Sequence, residues 1–225
     1  MARKVRSGEY TIVEPSYSTS YTLDQRYDPR PRHPLTSAIE IRDILAALAV
    51  LTLAFYLVFY GRGIGSDTLR NLGLAALSVF AGFLVHELSH KFVARRYGCW
   101  AEFRADYRML GFALVTSFFG ILFAAPGAVM IAGNVDRERN GKISLAGPGS
   151  NLLIAVACLS ILLTGVTGLV NDALSMLFMF SAILGGFNMI PVMPFDGAKI
   201  WHWNKPVYIL TLLVAGFLFL LAYTR

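Results

Sequence analysis

The sequence predicts an all-α membrane protein, with about five transmembrane helices and one re-entrant or β-like segment between the second and third. Three observations predict it. Of 225 residues, 56% are hydrophobic and 15% charged, whereas soluble domains carry about a quarter charged residues. The mean hydropathy is +0.56, and the apolar residues come in blocks long enough to cross the roughly 30 Å hydrocarbon layer. One further block is broken by Gly and Pro and is flanked on both sides by basic residues.

Residues 1–35 form a polar arm rich in Tyr, Ser, Pro and Arg, in which "EYTIVEP" has strand character. The arm has no short apolar core followed by a small-residue cleavage site, so it is expected to stay on the chain rather than act as a cleaved signal. The membrane domain is expected over 36–225. "SAIE" offers Ser37 as an N-cap with Glu40 three residues on, a capping box, and opens a first span ending at Tyr60. "GRGIGSD" interrupts, and Asp67 or Thr68 starts a second helix that runs to a stop at Gly98. "CWAEFRADYR" is strand-like, and residues 109–133 are apolar but broken by Gly111, Gly120, Pro126 and Gly127. A polar turn is expected at "NVDRERNGK", followed by spans in "GPGSNLLIAVACLSILLTGVTGLV", "ALSMLFMFSAILGGFNMI" and "VYILTLLVAGFLFLLAY".

Charge sets the expected topology. Lys and Arg near membrane ends favour the cytoplasmic side. Arg26, Arg30, Arg32 and Arg42 precede or open the first span, Lys91, Arg95, Arg96, Arg104 and Arg108 follow the second, and Arg137, Arg139 and Lys142 follow the broken block. All three groups are expected inside, so 109–133 should dip into the bilayer and return, which is tolerated where protein or a water-filled cavity surrounds irregular backbone. The N-terminus is then cytoplasmic and the C-terminus outside, in a multi-pass protein of the cell membrane. The net charge of +6 sits beside apolar blocks, where it suits orientation and lipid headgroups. No basic helix or aromatic-interleaved patch stands apart, so nucleic-acid binding is not expected. Cys99 and Cys158 are far apart without a CxxC, which argues against a disulfide framework or a cysteine metal site.

Chemistry concentrates in "FLVHELSHKFVARRYG", residues 83–98. Four residues make about one helical turn, so His86 and His90 share a face and two imidazoles converge on one metal ion. Glu87 lies beside them, placed to take a proton from an activated water. Ordinary residue frequencies give HExxH in a chain of this length at roughly the 1% level, and ionisable groups within a span are costly unless they face a cavity or partner. The competing reading is an interfacial cluster of hydrogen-bonded polar groups.

A catalytic zinc takes three protein ligands and leaves a fourth position open. Asp136, Glu138 and Asp172 sit in polar turns, whereas "NMIPVMPFDGAKIW" breaks an apolar run with Pro191 and Pro194 and places Asp196 before Gly197. The topology returns this segment to the side of His86 and His90, so Asp196 is the expected third ligand. His202, between two Trp residues, is the competitor.

"HELSH" in a membrane helix, followed far downstream by "NMIPVMPFDG", resembles the site-2 protease family of intramembrane zinc metalloproteases, over roughly residues 40–225. The resemblance implies one zinc per chain held by His86, His90 and Asp196, catalysis by Glu87, and a substrate-holding role for Asn188. The substrate it implies is a membrane protein. A transmembrane substrate must be unwound before its peptide bonds are exposed, and an extended strand would then need backbone partners, for which "WAEFRADYR" and "APGAVMI" are candidate strand edges. Asn151 is a second candidate for substrate contact, and for both Asn residues the alternative is interhelical hydrogen bonding. A non-proteolytic membrane zinc-binding or transport protein is the alternative function.

Overall fold

The structure is a computed structural model that describes residues 35–61, 63–121 and 126–224, with two short strands before them. In the arm, β1 (Val5–Ser7) pairs antiparallel with β2 (Tyr10–Ile12). The strand character of "EYTIVEP" thus falls partly on β2, and the rest of the arm lies outside the described residues. The bundle then follows as α1 (Ala38–Tyr60), α2 (Thr68–Val79), a π-helical segment (Phe80–Leu84), α3 (Val85–Arg96), β3 (Trp100–Ala105), α4 (Tyr107–Ser117), β4 (Gly127–Ala132), α5 (Arg137–Leu162), α6 (Gly168–Asn188), α7 (Asp196–Trp203) and α8 (Lys205–Thr224).

Five helical stretches are long and apolar enough to cross a membrane: α1, the continuous run Thr68–Arg96, α5, α6 and α8. This is the multi-pass all-α architecture expected. At one end, Arg139 of α5 lies over the Tyr97 ring at the foot of α3, 5.7 Å from its centroid. At the opposite end, Arg70 of α2 pairs with Asp172 of α6. One apolar cluster joins α5, α6, α7 and α8 through Leu152, Phe178, Ile200 and Leu218, and a second joins α1, α2, α6 and β3 through Leu51, Phe55, Val79, Phe103 and Phe180.

The broken block leaves and returns on one side. β3 and β4 pair antiparallel from Trp100↔Ala132 to Ala105↔Gly127, and the Asp106 N–H donates to the Pro126 carbonyl at 2.9 Å. The excursion between them is therefore closed at its base. Its outward limb, α4, is 11 residues long, or about 16 Å at 1.5 Å per residue, and its tip at Ser117–Gly120 shares a cleft with Leu57 and Gly61 at the far end of α1. The boundaries of the expected re-entrant segment change: the outward limb starts at Tyr107, and Gly127–Ala132 is a strand at the rim rather than part of the dip. Gly127 is required there, because its φ is +153° and an added Cβ would lie 2.2 Å from the Arg104 carbonyl oxygen.

Two local expectations are corrected. The capping box is half made: Ser37 Oγ accepts from the Glu40 N–H at 3.2 Å, but the Glu40 carboxylate turns away to Lys91, 2.6 Å from its Nζ. A buried cation outcompetes a backbone amide for that carboxylate. The polar turn "NVDRERNGK" ends early, since Asp136 caps α5 by accepting from the Arg139 N–H at 2.8 Å and the helix starts at Arg137. Polar residues there hid a helical turn that rises above the apolar stretch.

Candidate metal centre

The HExxH stretch begins where the second span changes its winding. Residues 80–84 form a π-helical turn immediately before α3, the kind of one-residue bulge that re-aims a helix beside a functional site. From the next turn, His86 and His90 project to one side, their rings 4.7 Å apart and nearly perpendicular. Both are buried, at 3% and 7% exposure.

The facing surface is α5, and it backs each histidine in register. His90 Nδ1 lies 2.7 Å from the Ile143 carbonyl oxygen, which accepts only, so Nδ1 carries the ring proton and Nε2 keeps its lone pair. His86 Nδ1 lies 2.5 Å from Asn151 Oδ1. The Asn151 Nδ2 donates to the Gly82 carbonyl at 3.0 Å, which fixes the amide so that its oxygen faces His86; His86 Nε2 is then free as well. Ile143, Gly147 and Asn151 are four residues apart, as His86 and His90 are, so the two helices mesh one turn for one turn. Gly147 lies between the two contacts. A Cβ there would stand 2.2 Å from His90 Nε2 and 2.6 Å from His86 Nε2.

Asp196 closes the third side. It is the first residue of α7, is 7% exposed, and its Oδ2 lies 3.1 Å from His90 Nε2 and 3.5 Å from His86 Nε2. Its other oxygen is 3.6 Å from Lys199 Nζ. Gly197 does matter here, though through close approach: a Cβ would lie 2.3 Å from the Met189 carbonyl oxygen. The competitor His202 is exposed at the far end of α7, and among the described residues the one group of three or more potential ligands is His86, His90 and Asp196.

The donor set fits zinc. With Nδ1 of each ring engaged, two Nε2 atoms and one carboxylate oxygen converge on one point, where a bound cation would be held by all three. The two Nε2 atoms are 3.1 Å apart, and the three edges of 3.1, 3.1 and 3.5 Å bracket the edge of about 3.3–3.4 Å that ligands at 2.0–2.1 Å make in a tetrahedron. Glu87, half-buried on the same helix, makes no hydrogen bond or ion pair with another described residue.

The remaining candidates fall elsewhere. Asn151 stands wholly buried behind His86 with both amide ends engaged, making the interhelical contact that was the alternative reading of it. Asn188, at the end of α6, donates to the Leu184 carbonyl of its own helix at 3.0 Å and remains partly exposed. Sequence reasoning missed Gly147, the Ile143 carbonyl, Lys199 and the π turn. The run of small and polar residues "GPGSN" inside an apolar helix is the signal that marks α5 for close approach.

Two curated relatives match. One, from Methanocaldococcus jannaschii, bears the name "Putative zinc metalloprotease MJ0611" and is 42% identical over 139 residues, covering 60% of this chain and 72% of the relative. The other, zinc metalloprotease MJ0392 of the same organism, is 27% identical over 164 residues, which are 72% of this chain and 42% of the relative's length. No family profile and no solved structure matches the chain. With two imidazoles, one carboxylate and a neighbouring HExxH glutamate inside a multi-pass bundle, the chain belongs to the zinc metalloprotease family of these relatives, in keeping with its resemblance to the site-2 proteases.

Proposed function

We propose that the chain is an intramembrane protease that hydrolyses a peptide bond in or near a transmembrane segment of a membrane-protein substrate, from the cytoplasmic half of the cell membrane. The observation that carries the reading is the depth of the ligands. His90 lies six residues above Arg96, the last residue of α3, and Gly147 five residues beyond Lys142, the last basic residue in the polar opening of α5. At 1.5 Å per residue the site is about 8–9 Å inside the charged rim, within half of the roughly 30 Å hydrocarbon layer.

His86, His90 and Asp196 would hold the zinc, which when bound would supply a Lewis acid to acidify water and polarise a carbonyl. Glu87 accepts the proton of the attacking water and returns it to the leaving amine nitrogen, so no acyl-enzyme forms. Asn151 and the Ile143 carbonyl keep both histidines in the tautomer that leaves Nε2 unprotonated.

An unwound substrate needs backbone partners, and the sheet offers one edge. Phe103 and Ala105 donate their N–H groups away from β4, to α1. Their partners in the register, Val129 and Gly127, therefore stand at non-hydrogen-bonded positions of the ladder and point their own backbone groups outward. Val129 and Ile131 thus present the free edge of β4 for strand addition. Asn188, partly exposed after Leu184 and before Pro191, is the side chain we assign to substrate contact.

The test is reconstitution in lipid vesicles with a single-span reporter whose helix carries a central Gly-Pro break. Mass spectrometry of the products should place the cut within the span and show none with Glu87→Gln. Cleavage confined to the water-exposed ends would contradict an intramembrane site, and stoichiometric zinc without hydrolysis of any reporter would favour a zinc-binding or transport role.

A further inference from the structure

A two-stranded hairpin has two outer edges, and here α1 closes one of them with carboxylates. Glu40 Oε1 accepts from the Phe103 N–H at 3.0 Å, and Asp43 Oδ2 from the Ala105 N–H at 3.2 Å. These are alternate residues of β3, whose amides share one edge, met by side chains three apart on one face of α1. Each carboxylate is held in turn: Glu40 by Lys91 Nζ at 2.6 Å, and Asp43 by the Tyr107 hydroxyl at 2.8 Å and Arg42 at 2.9 Å. Glu40 is 0% and Asp43 3% exposed. Burying two carboxylates in the opening turns of a membrane helix is costly unless they do something an apolar side chain does not. Neither has a part in the metal centre, yet Lys91 is the residue next to His90.

We propose that Glu40 and Asp43 are positioning residues for hydrolysis. Standing in for a third strand, they close the outer edge of β3, leave β4 as the one edge open to an extended substrate, and through Lys91 tie the hairpin to the helix that carries His86 and His90. The inference rests on the strand-addition reading above. If α1 merely packed against the hairpin, loss of one carboxylate would lower the amount of folded, zinc-loaded enzyme and leave substrate affinity alone.

The experiment uses the full chain in lipid nanodiscs, with a fluorescein-labelled single-span peptide whose helix carries a central Gly-Pro break as the extended probe. Asp43→Ala should retain its zinc and raise KM about tenfold, equivalent to 1.4 kcal/mol, while kcat stays within about twofold, the split expected when binding alone is lost. Hydrogen exchange at the Ala105 amide should quicken by about tenfold or more as its acceptor is removed. Asp43→Asn keeps an acceptor for that amide and should hold KM near wild type. Unchanged KM in Asp43→Ala despite faster exchange overturns the proposal, as does a parallel fall of zinc content and kcat at constant KM. Val129→Pro separates the two readings, because it removes an outward N–H of β4 without breaking the ladder to β3. A raised KM there with an unchanged KM in Asp43→Ala defeats the role of α1 alone; an unchanged KM in Val129→Pro defeats strand addition itself, and this proposal with it.

Discussion

Gly147→Ala adds one methyl group to α5, and the structure says where it goes. The new Cβ would lie 2.2 Å from His90 Nε2 and 2.6 Å from both His86 Nε2 and His90 Cε1. To restore an ordinary contact of 3.4 Å, His90 must retreat by about 1.2 Å or α5 must move away from α3. Zinc sites tolerate displacements of about 0.2 Å in ligand distance, and an error near 1 Å at a reacting group costs roughly 10²-fold. If α5 moves instead, the Ile143 and Asn151 contacts lengthen together, and such supporting contacts are worth about 10–100-fold in metal affinity. The two routes together predict a fall in zinc affinity of about 10–100-fold, roughly 1.4–2.7 kcal/mol. The assay is competition with a chelator of known affinity, read by elemental analysis of the protein in detergent, with circular dichroism to show that the helices persist. Gly149→Ala is the control on the same helix. A Cβ there meets nothing within 4 Å, and an Ala in a helix interior gains about 0.5–1 kcal/mol over Gly, so its zinc should match wild type. Wild-type zinc affinity in Gly147→Ala would refute the packing of α5 against the two ligands.

Asn151→Ala removes the acceptor of the His86 Nδ1–H and takes from the Gly82 carbonyl one of its two donors, the other being the Val85 N–H; zinc affinity should fall about 10–100-fold in a chelator titration, although Asn151 is not among the three candidate ligands. Asp196→Asn should lose zinc and activity together, because a charged ligand becomes neutral, whereas His202→Ala should keep its zinc; the reverse pattern, measured as metal per chain, would reassign the third ligand. Cysteines introduced by Arg104→Cys and Asn134→Cys should react with an impermeant maleimide from the same side of a sealed vesicle, since β3 and β4 pair at their rim; labelling from opposite sides would contradict the re-entrant dip.

The sequence made the candidate metal ligands legible because their chemistry is expensive in a bilayer. His86, Glu87, His90 and Asp196 are polar residues inside apolar runs, and the spacing of the first three admits little else. What holds them was harder to read. A glycine that lets α5 approach two imidazoles looks like any other glycine, and a backbone carbonyl such as that of Ile143 leaves no mark on residue type. The π turn at 80–84 has an apolar sequence, "FAGFL", which does not distinguish it from the α-helix around it. Glu40 was legible as a capping residue by its distance from Ser37, but its partners Lys91 and Phe103 lie 51 and 63 residues away. The sheet was foreseen only as two candidate strands, and which of their edges stays open depends on that same long-range contact.

The most direct test of the account is to measure zinc and hydrolysis in one preparation of Glu87→Gln. His86, His90 and Asp196 are untouched by the change, so the protein should hold about one zinc per chain while cleavage of a membrane-anchored reporter disappears, because only the proton acceptor is lost. Wild-type cleavage by the zinc-loaded variant would contradict the assignment of Glu87 as the catalytic base.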